Sequence, residues 1–144
     1  MLRFDGRTGA LTLWEDAPGR ADPPAVHAQL IEVTSADNTI VRAQVLSPVA
    51  APDRPRPTVL YGYGGFAVPL TPAYTATALA WVAAGGVWVV ANLRGGSEEG
   101  EAWHRDGMRE HKQHVFDDFA AVADALVARG WTTPGQLGIY GGSN

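Results

Sequence analysis

The chain has 144 residues, 46% of them hydrophobic and 18% charged, which suffices to bury the core of a domain of roughly 100–200 residues and excludes a disordered chain. Fifteen acidic against 11 basic side chains give a net charge of −4, and no basic cluster is present. We therefore expect no nucleic acid partner. The chain has no cysteine, which excludes disulfides, thiolate metal sites and a cysteine nucleophile.

Neither the N-terminal segment nor the longest apolar run points to a membrane. The segment Met1 to Asp5 carries charge where a secretory signal needs an apolar stretch. The longest apolar run, residues 78–91, contains Gly85 and Gly86 and is shorter than the roughly 20 residues of a membrane helix. We expect no membrane partner and a cytoplasmic location, with the native N-terminus upstream of Met1.

The first part of the chain shows β-hairpin patterns and a proline-rich connection. Alternating apolar residues predict a hairpin over residues 2–14, and the prolines of 16–24 predict a linker, with a domain boundary near residue 22. Residues 28–33 and 40–46 predict a second hairpin, which is followed by a polar loop over 47–57. The sequence thus divides into a β segment, 1–22, and a larger domain, 23–144.

The larger domain alternates strands and helices after its hairpin. The predicted elements are a strand at 58–61, a helix at 73–83, a strand at 87–91, a helix at 115–129 and a strand at 137–140. This alternation is typical of the α/β class, with a mostly parallel sheet and helices packed on its faces.

The helix at 115–129 has the most regular pattern. Its apolar residues recur every three or four positions and so share one face: Val115, Phe119, Val122 and Leu126. Gly130 is expected to end the helix. Asp117 and Asp118 are expected in its first turn, where the helix dipole favours acidic side chains.

The last residues follow the predicted strand at 137–140. In an α/β-hydrolase the nucleophilic serine lies in a sharp strand-to-helix turn whose neighbours must be small. Gly141, two positions before Ser143, fits this requirement, whereas the second small residue, two positions after Ser143, is not part of the sequence. The pattern indicates a nucleophile turn with Ser143 as the nucleophile.

The glycine-rich loop after the strand at 58–61 admits three interpretations. Gly62, Gly64 and Ala67 have the spacing of a dinucleotide-binding loop, with Arg94 at the end of the next strand. Prolines at 69 and 72 interrupt the helix that such a loop must open, and no acid between residues 54 and 97 is available for a ribose, which argues against nucleotide binding.

The second interpretation is structural, with Tyr63 and Phe66 as ordinary packing aromatics. The third is catalytic. In an α/β-hydrolase the oxyanion hole combines the amide after the nucleophile with a donor from this loop, for which the Tyr63 hydroxyl is the candidate.

Several other charged residues have both a functional and a structural interpretation. Arg94 and the loop after it allow a substrate contact, but the favoured role is a structural ion pair with a nearby carboxylate such as Glu98. His111 and His114 are three positions apart, yet no third metal ligand recurs at a diagnostic spacing. Residues 104–106 match a kinase triplet without its later residues, which we attribute to chance.

Four runs of residues resemble the peptidase domain of the prolyl oligopeptidase family. They occur in the family's order and spacing: LYGYGGF at 60–66, NLRGGS at 92–97 with GEAWH at 100–104, HKQ at 111–113 with FDDF at 116–119, and GGSN at 141–144. The resemblance covers residues 28–144, and residues 1–20 look like the last strands of the family's β-propeller. It implies the first part of an α/β-hydrolase domain, preceded by a propeller remnant.

The resemblance also implies roles for four residues. Ser143 matches the nucleophile, the Asn144 amide and the Tyr63 hydroxyl match the oxyanion hole, and Phe66 matches an aromatic wall of the proline pocket. Gly65-Phe66 is more similar to the proline-specific members than to those that cut after basic residues. The implied activity is a serine peptidase that cleaves short peptides after proline through an acyl-enzyme, with no cofactor and no metal.

The family's catalytic aspartate and histidine lie beyond the nucleophile. All four histidines of the chain precede Ser143, so none is a candidate base. We expect the 144 residues alone to be inactive and poorly stable, with the remainder of the peptidase and propeller domains as their missing partner. The alternatives are a non-catalytic binding or structural module, and an esterase or aminopeptidase relative.

Overall fold

The structure, a computed structural model, describes residues 1–15 and 24–144. The strands within these ranges are β1 Leu2–Phe4, β2 Leu11–Leu13, β3 His27–Thr34, β4 Ile40–Ser47, β5 Thr58–Gly62, β6 Val87–Asn92 and β7 Leu137–Tyr140. The helices are α1 Ala76–Ala83, α2 Glu101–Arg105 and α3 Gln113–Ala128, with short 3-10 turns at Arg109–His111 and Pro134–Gln136.

Both predicted hairpins are present. Strands β1 and β2 pair antiparallel, with Leu2 opposite Leu13, and every residue of the two strands is exposed. Strands β3 and β4 pair antiparallel over their full length, with His27 opposite Ser47. The linker predicted at 16–24, apart from residue 24, and the boundary near residue 22 lie outside the described residues.

Five strands form a mixed sheet in the order β3-β4-β6-β5-β7. Strand β4 pairs antiparallel with β3 and β6, whereas β5 pairs parallel with both β6 and β7. The parallel half therefore coincides with the predicted strand-helix alternation, and the α/β prediction is confirmed. Because β5 and β7 are parallel neighbours, the loops that follow them leave the same edge of the sheet.

Helices cover both faces of the sheet. The apolar side of α3 packs with Val45, Val89 and Leu60 in the main core, where Val122 and Leu126 have no exposed surface. Alternate residues of the same strands face the other way, and Trp88 shares a pocket there with Ala78 of α1. The single apolar stripe predicted for α3 is thus buried against the sheet.

Two helix boundaries differ from the sequence-based expectation. Helix α1 begins at Ala76, later than predicted. Helix α3 begins at Gln113 because the preceding turn leads into it and Lys112 already has helical dihedral angles. The prediction that Asp117 and Asp118 lie in the first turn was wrong: they lie in the second turn, and Asp118 is fully buried. Gly130 follows the helix with a φ of +78°, as expected of a helix-ending glycine.

Candidate active site

The residues after β7 form a tight turn around Ser143. Ser143 has a φ of +74°, and the Asn144 amide donates a hydrogen bond to the Gly142 carbonyl at 3.0 Å. A central residue with φ near +75° is the mark of a strained γ-turn, which a serine adopts only when its surroundings impose it. Gly141 lies so close to β5 that a Cβ there would be 3.2 Å from the Gly62 carbonyl oxygen. The turn therefore requires a small residue at Gly141.

The loop after β5 is also tightly packed. Gly64 has a φ of +63°, and a Cβ at this position would overlap Val115 Cγ1 of α3. The next loop along the chain holds its far end: the Ala67 amide donates to the Gly95 carbonyl at 3.0 Å, and Ser97 Oγ donates to the Ala67 carbonyl at 2.7 Å. The loop after Tyr63 is thus held at Gly64 and at Ala67.

Asn144 joins the terminal turn to this loop. Its side-chain Nδ2 donates to the carbonyl oxygens of Tyr63 and Gly64, at 2.9 and 2.8 Å. A Cβ on Gly65 would overlap the Asn144 carboxamide, so the loop can accept this side chain only because residue 65 is glycine. The structure therefore places the predicted nucleophile turn beside the loop that carries the predicted oxyanion donor.

The four predicted site residues are not all in one cavity. Tyr63 and Asn144 line a pocket of about 470 Å³ between α3 and β7, with Phe116 and Phe119 on its helix side. Ser143 and Phe66 are not among the residues that line it. Phe66 is 75% exposed and has a φ of +52°, so it is not an ordinary packing aromatic.

The Asn144 amide is engaged in this structure. It donates to the Gly142 carbonyl, whereas the oxyanion role needs the same N–H to point at a substrate oxygen. The Asn144 amide could therefore serve an oxyanion only if the γ-turn opened or this donor were shared.

Arg94 is held in a buried ion cluster behind the loops. Its guanidinium contacts Asp118 (Nη2–Oδ1 2.6 Å), Asp106 (Nη1–Oδ2 2.8 Å) and Asp37 (Nη1–Oδ2 2.5 Å). The structural role predicted for Arg94 is confirmed, but the partner named for it, Glu98, was wrong. Glu98 instead accepts hydrogen bonds through Oε1 from the Leu70 amide and from Asn92 Nδ2.

The ion cluster shifts the pKa values of Asp37, Asp106 and Arg94. Hydrogen bonds from Arg94 hold the pKa of Asp37 far below its ordinary value. Burial raises the pKa of Asp106, but the hydrogen bond and charge of Arg94, together with those of His114, outweigh it and leave that pKa lowered. Burial also lowers the pKa of the guanidinium, and the hydrogen bonds to Asp118, Asp37 and Asp106 more than reverse the effect. The cluster joins the β3–β4 turn to β6, α2 and α3.

Lys112 was not singled out from the sequence. Its Nζ donates to the Gly64 carbonyl at 2.8 Å, so it touches the same loop as Asn144. Burial lowers the pKa of this ammonium. The available signal was that Lys112 is the only lysine in the chain.

The glycine loop lacks the helix that a dinucleotide-binding site requires. No helix opens at the glycine loop, because α1 begins only at Ala76, so the amide cradle of a dinucleotide site does not form.

Asp106 does bring a third possible metal ligand to within 4.8 Å of His111 and His114. However, Asp106 already binds Arg94, and His114 Nδ1 lies 2.9 Å from the Asp106 carbonyl oxygen. In the described parts of the chain, no helix is long and apolar enough to cross a bilayer.

Comparison with known proteins places these features in a family. Residues 72–144 match the model of the prolyl oligopeptidase family. The uncharacterized peptidase y4nA of Sinorhizobium fredii is 40% identical over 97% of this chain and 20% of its own length. A solved prolyl endopeptidase superposes with a TM-score of 0.82 at 43% identity, over 99% of this chain and 21% of that one. A post-proline cleaving enzyme from Rickettsia typhi superposes with a TM-score of 0.81 at 34% identity, over 95% and 20%.

The chain spans about a fifth of the length of these proteins. The matches cover 95–99% of this chain, and the family model covers its last 73 residues, which include Ser143. The chain therefore belongs to the prolyl oligopeptidase family.

Proposed function

We propose that this chain supplies the nucleophile and the oxyanion donors of a serine peptidase that cleaves short peptides after proline. The observation that carries the proposal is the strained Ser143 turn, which Asn144 ties to the carbonyls of Tyr63 and Gly64. Strain of this kind persists where the surrounding structure imposes it, and it is concentrated at sites of chemistry.

The proposed reaction is acyl transfer. Ser143 Oγ attacks the scissile carbonyl while its proton passes to a base, and the oxyanion accepts hydrogen bonds from the Tyr63 hydroxyl and the Asn144 amide. Collapse of the tetrahedral intermediate releases the amine and leaves an ester on Ser143. Water then attacks the ester, and the acid product and the free serine are regenerated.

Phe66 is proposed as the wall against which the substrate proline packs. Its ring is three-quarters exposed, and Gly65 and Ala67 flank it, so the ring is accessible to a ligand. An apolar ring on an aromatic face is a favourable contact, whereas a basic side chain would need an acid as well. The preference for proline over basic residues rests on this difference and on the Gly65-Phe66 pair.

The base is proposed to come from sequence that this chain does not contain. Within residues 1–15 and 24–144, the Ser143 hydroxyl has no histidine or carboxylate hydrogen-bond partner. His104 and His114 are held at carbonyls of the Arg94 region, and His111 stacks on His114. Because a serine without a base is a poor nucleophile, we propose that the 144 residues alone are inactive.

The β1–β2 hairpin is proposed as the end of a β-propeller and residues 23–144 as the start of the peptidase domain. In a protein of the relatives' length, the partners of this chain would be its own remaining domains and a short peptide.

The proposal is tested with a fluorophosphonate probe, which labels only an activated serine, and with a proline reporter peptide. In a protein extended to the relatives' length we expect labelling and cleavage after proline, both lost in Ser143→Ala and both kept in the control Thr8→Ala. The chain of 144 residues should not be labelled. Labelling that survives in Ser143→Ala, or cleavage of an arginine reporter in preference to the proline one, would contradict the proposal.

One observation favours the alternative of a non-catalytic module, namely that the Asn144 amide is closed onto Gly142. If the turn never opens, the oxyanion lacks one of its two donors. The alternative predicts no labelling of Ser143 at any length of chain, so the same probe separates the two.

A further inference from the structure

We propose that Lys112 is a positioning residue of this site: its ammonium sets the backbone of the Tyr63–Gly65 segment against the nucleophile turn. The inference rests on the proposed function, since the segment matters only if Tyr63 receives an oxyanion. Lys112 itself touches neither the serine nor a substrate in this proposal, and it acts through Gly64.

The geometry centres on one carbonyl oxygen. The Gly64 oxygen accepts a hydrogen bond from Lys112 Nζ at 2.8 Å and another from Asn144 Nδ2 at 2.8 Å. A carbonyl oxygen has two lone pairs, so both donors can be satisfied at once. The oxygen thus joins three segments: the loop after β5, the start of α3 and the turn that carries Ser143.

The placement of Lys112 differs from that of a surface lysine. The ion pairs of the described residues do not include Lys112, so its partner is this neutral carbonyl. Its ammonium lies 6.0 Å from the centre of the Phe116 ring, and burial lowers its pKa. A partly desolvated ammonium makes a stronger hydrogen bond than an exposed one, because water competes less for its protons.

The position of Gly64 decides what this bond controls. Gly64 follows Tyr63 directly, has a φ of +63° and packs against Val115. Without Lys112, the carbonyl would be held by Asn144 alone, and Asn144 belongs to the turn that an incoming substrate must disturb. We expect the peptide after Tyr63 to loosen, and the Tyr63 hydroxyl with it.

The kinetic consequence is specific. A misplaced oxyanion donor weakens binding of the transition state and leaves binding of the ground state nearly unchanged. Displacement of a catalytic group by about 1 Å can cost on the order of 100-fold in rate. Loss of Lys112 should therefore lower kcat and leave KM nearly unchanged, whereas a residue that only supports folding would change neither constant of the folded fraction.

The experiment compares three variants in a protein extended to the relatives' length. Lys112→Met removes the ammonium and keeps the stem, Lys112→Arg keeps a cation, and Arg105→Gln removes one charge from a side chain that is 72% exposed. For a proline reporter peptide we expect Lys112→Met to lower kcat about 10- to 100-fold with KM within about threefold of the parent. Lys112→Arg should recover part of the loss, and Arg105→Gln should match the parent.

A second readout does not depend on activity. Amide hydrogen exchange of a peptide covering residues 60–68 should be at least about tenfold faster in Lys112→Met than in Arg105→Gln, because the loop loses an anchor. If the parent protein is not labelled by a fluorophosphonate, the proposed function fails, and the exchange rate still decides the positioning role. An unchanged exchange rate, or a folded Lys112→Met with kcat within about twofold of the parent, overturns the inference.

Discussion

Arg94 and Asp118 form an ion pair that is withdrawn from solvent: Nη2 lies 2.6 Å from Oδ1, Nε lies 2.9 Å from Oδ2, and the two side chains are 1% and 0% exposed. Asp118 Oδ1 also accepts a hydrogen bond from Ser35 Oγ at 2.6 Å. The pair fastens α3 to the end of β6 directly below the loops of the candidate site. One guanidinium therefore links the end of β6 to α3 and to the β3–β4 turn.

Arg94→Met should destabilise the fold strongly. It leaves Asp118 buried without a counter-charge, which typically costs about 3–5 kcal/mol. Urea unfolding followed by circular dichroism measures the loss of unfolding free energy. In the Arg94→Met background, Asp118→Asn should recover part of it, since the stranded charge is then gone. A loss of less than about 1 kcal/mol would mean that the pair contributes little net stability.

Acid should weaken the same cluster. The folded-state pKa values of Asp37 and Asp106 lie below the ordinary value of 3.8, so the unfolded chain takes up protons first as the pH falls. The stabilisation is complete above about pH 4 and is lost as the pH falls through the lowered folded-state values. Because both carboxylates are more than a third exposed, at 39% and 44%, each contributes about 1 kcal/mol or less.

Melting temperatures between pH 7 and pH 2 test this dependence. Asp37→Asn should lower the melting temperature at pH 7 and reduce its further fall below pH 4, because one depressed carboxylate no longer titrates. If the melting temperatures of the parent and the variant change in parallel with pH across this whole range, Asp37 does not contribute in the manner described.

Gly65→Ala should impair the site and spare the fold. The added methyl would overlap the Asn144 carboxamide, a side-chain end that can swing away from the carbonyls of Tyr63 and Gly64. In a protein of the relatives' length, we expect the rate of fluorophosphonate labelling to fall at least about tenfold. Gly135→Ala is the matched control, since its methyl would meet open space. Equal labelling rates for the two variants would show that the Asn144 contact is dispensable.

The open edge of the sheet should make the 144-residue chain associate. Among residues 1–15 and 24–144, strand β7 pairs only with β5 and so has one open side, and Ile139 and Tyr140 are 73% and 59% exposed. An uncovered apolar edge strand is a template for pairing with another chain. Sedimentation at about 100 µM should show self-association that Ile139→Lys reduces. A strictly monomeric parent chain at that concentration would contradict the prediction that the β7 edge drives association.

The elements of the larger domain were predictable because their signals are local. The apolar period of α3 and the β-rich runs of β5, β6 and β7 depend on neighbours in the chain, and each lies within a few residues of its predicted place. The main error concerned the residue at which α3 begins. The helix begins two residues earlier than predicted because the turn before it continues into it, so Asp118 lies in the second turn and not the first. Its burial depends on Arg94 and Ser35, which are distant in the chain.

The candidate site divides along the same line. The sequence by itself determined the serine turn, the glycine loop and the family, since small residues at fixed spacing leave a mark in the chain. Only the tertiary structure decided which charges meet. Arg94 does not pair with Glu98, which is four positions away. It pairs instead with Asp37 and Asp118, which are 57 and 24 positions away.

The Gly64 carbonyl oxygen likewise accepts hydrogen bonds from Lys112 and Asn144, which lie 48 and 80 positions further along the chain. Several carboxylates were available as partners for Arg94, and several side-chain donors for the Gly64 carbonyl. The choice among them depends on which strand ends and helix starts the sheet order brings to one edge, and that order is a property of the whole fold.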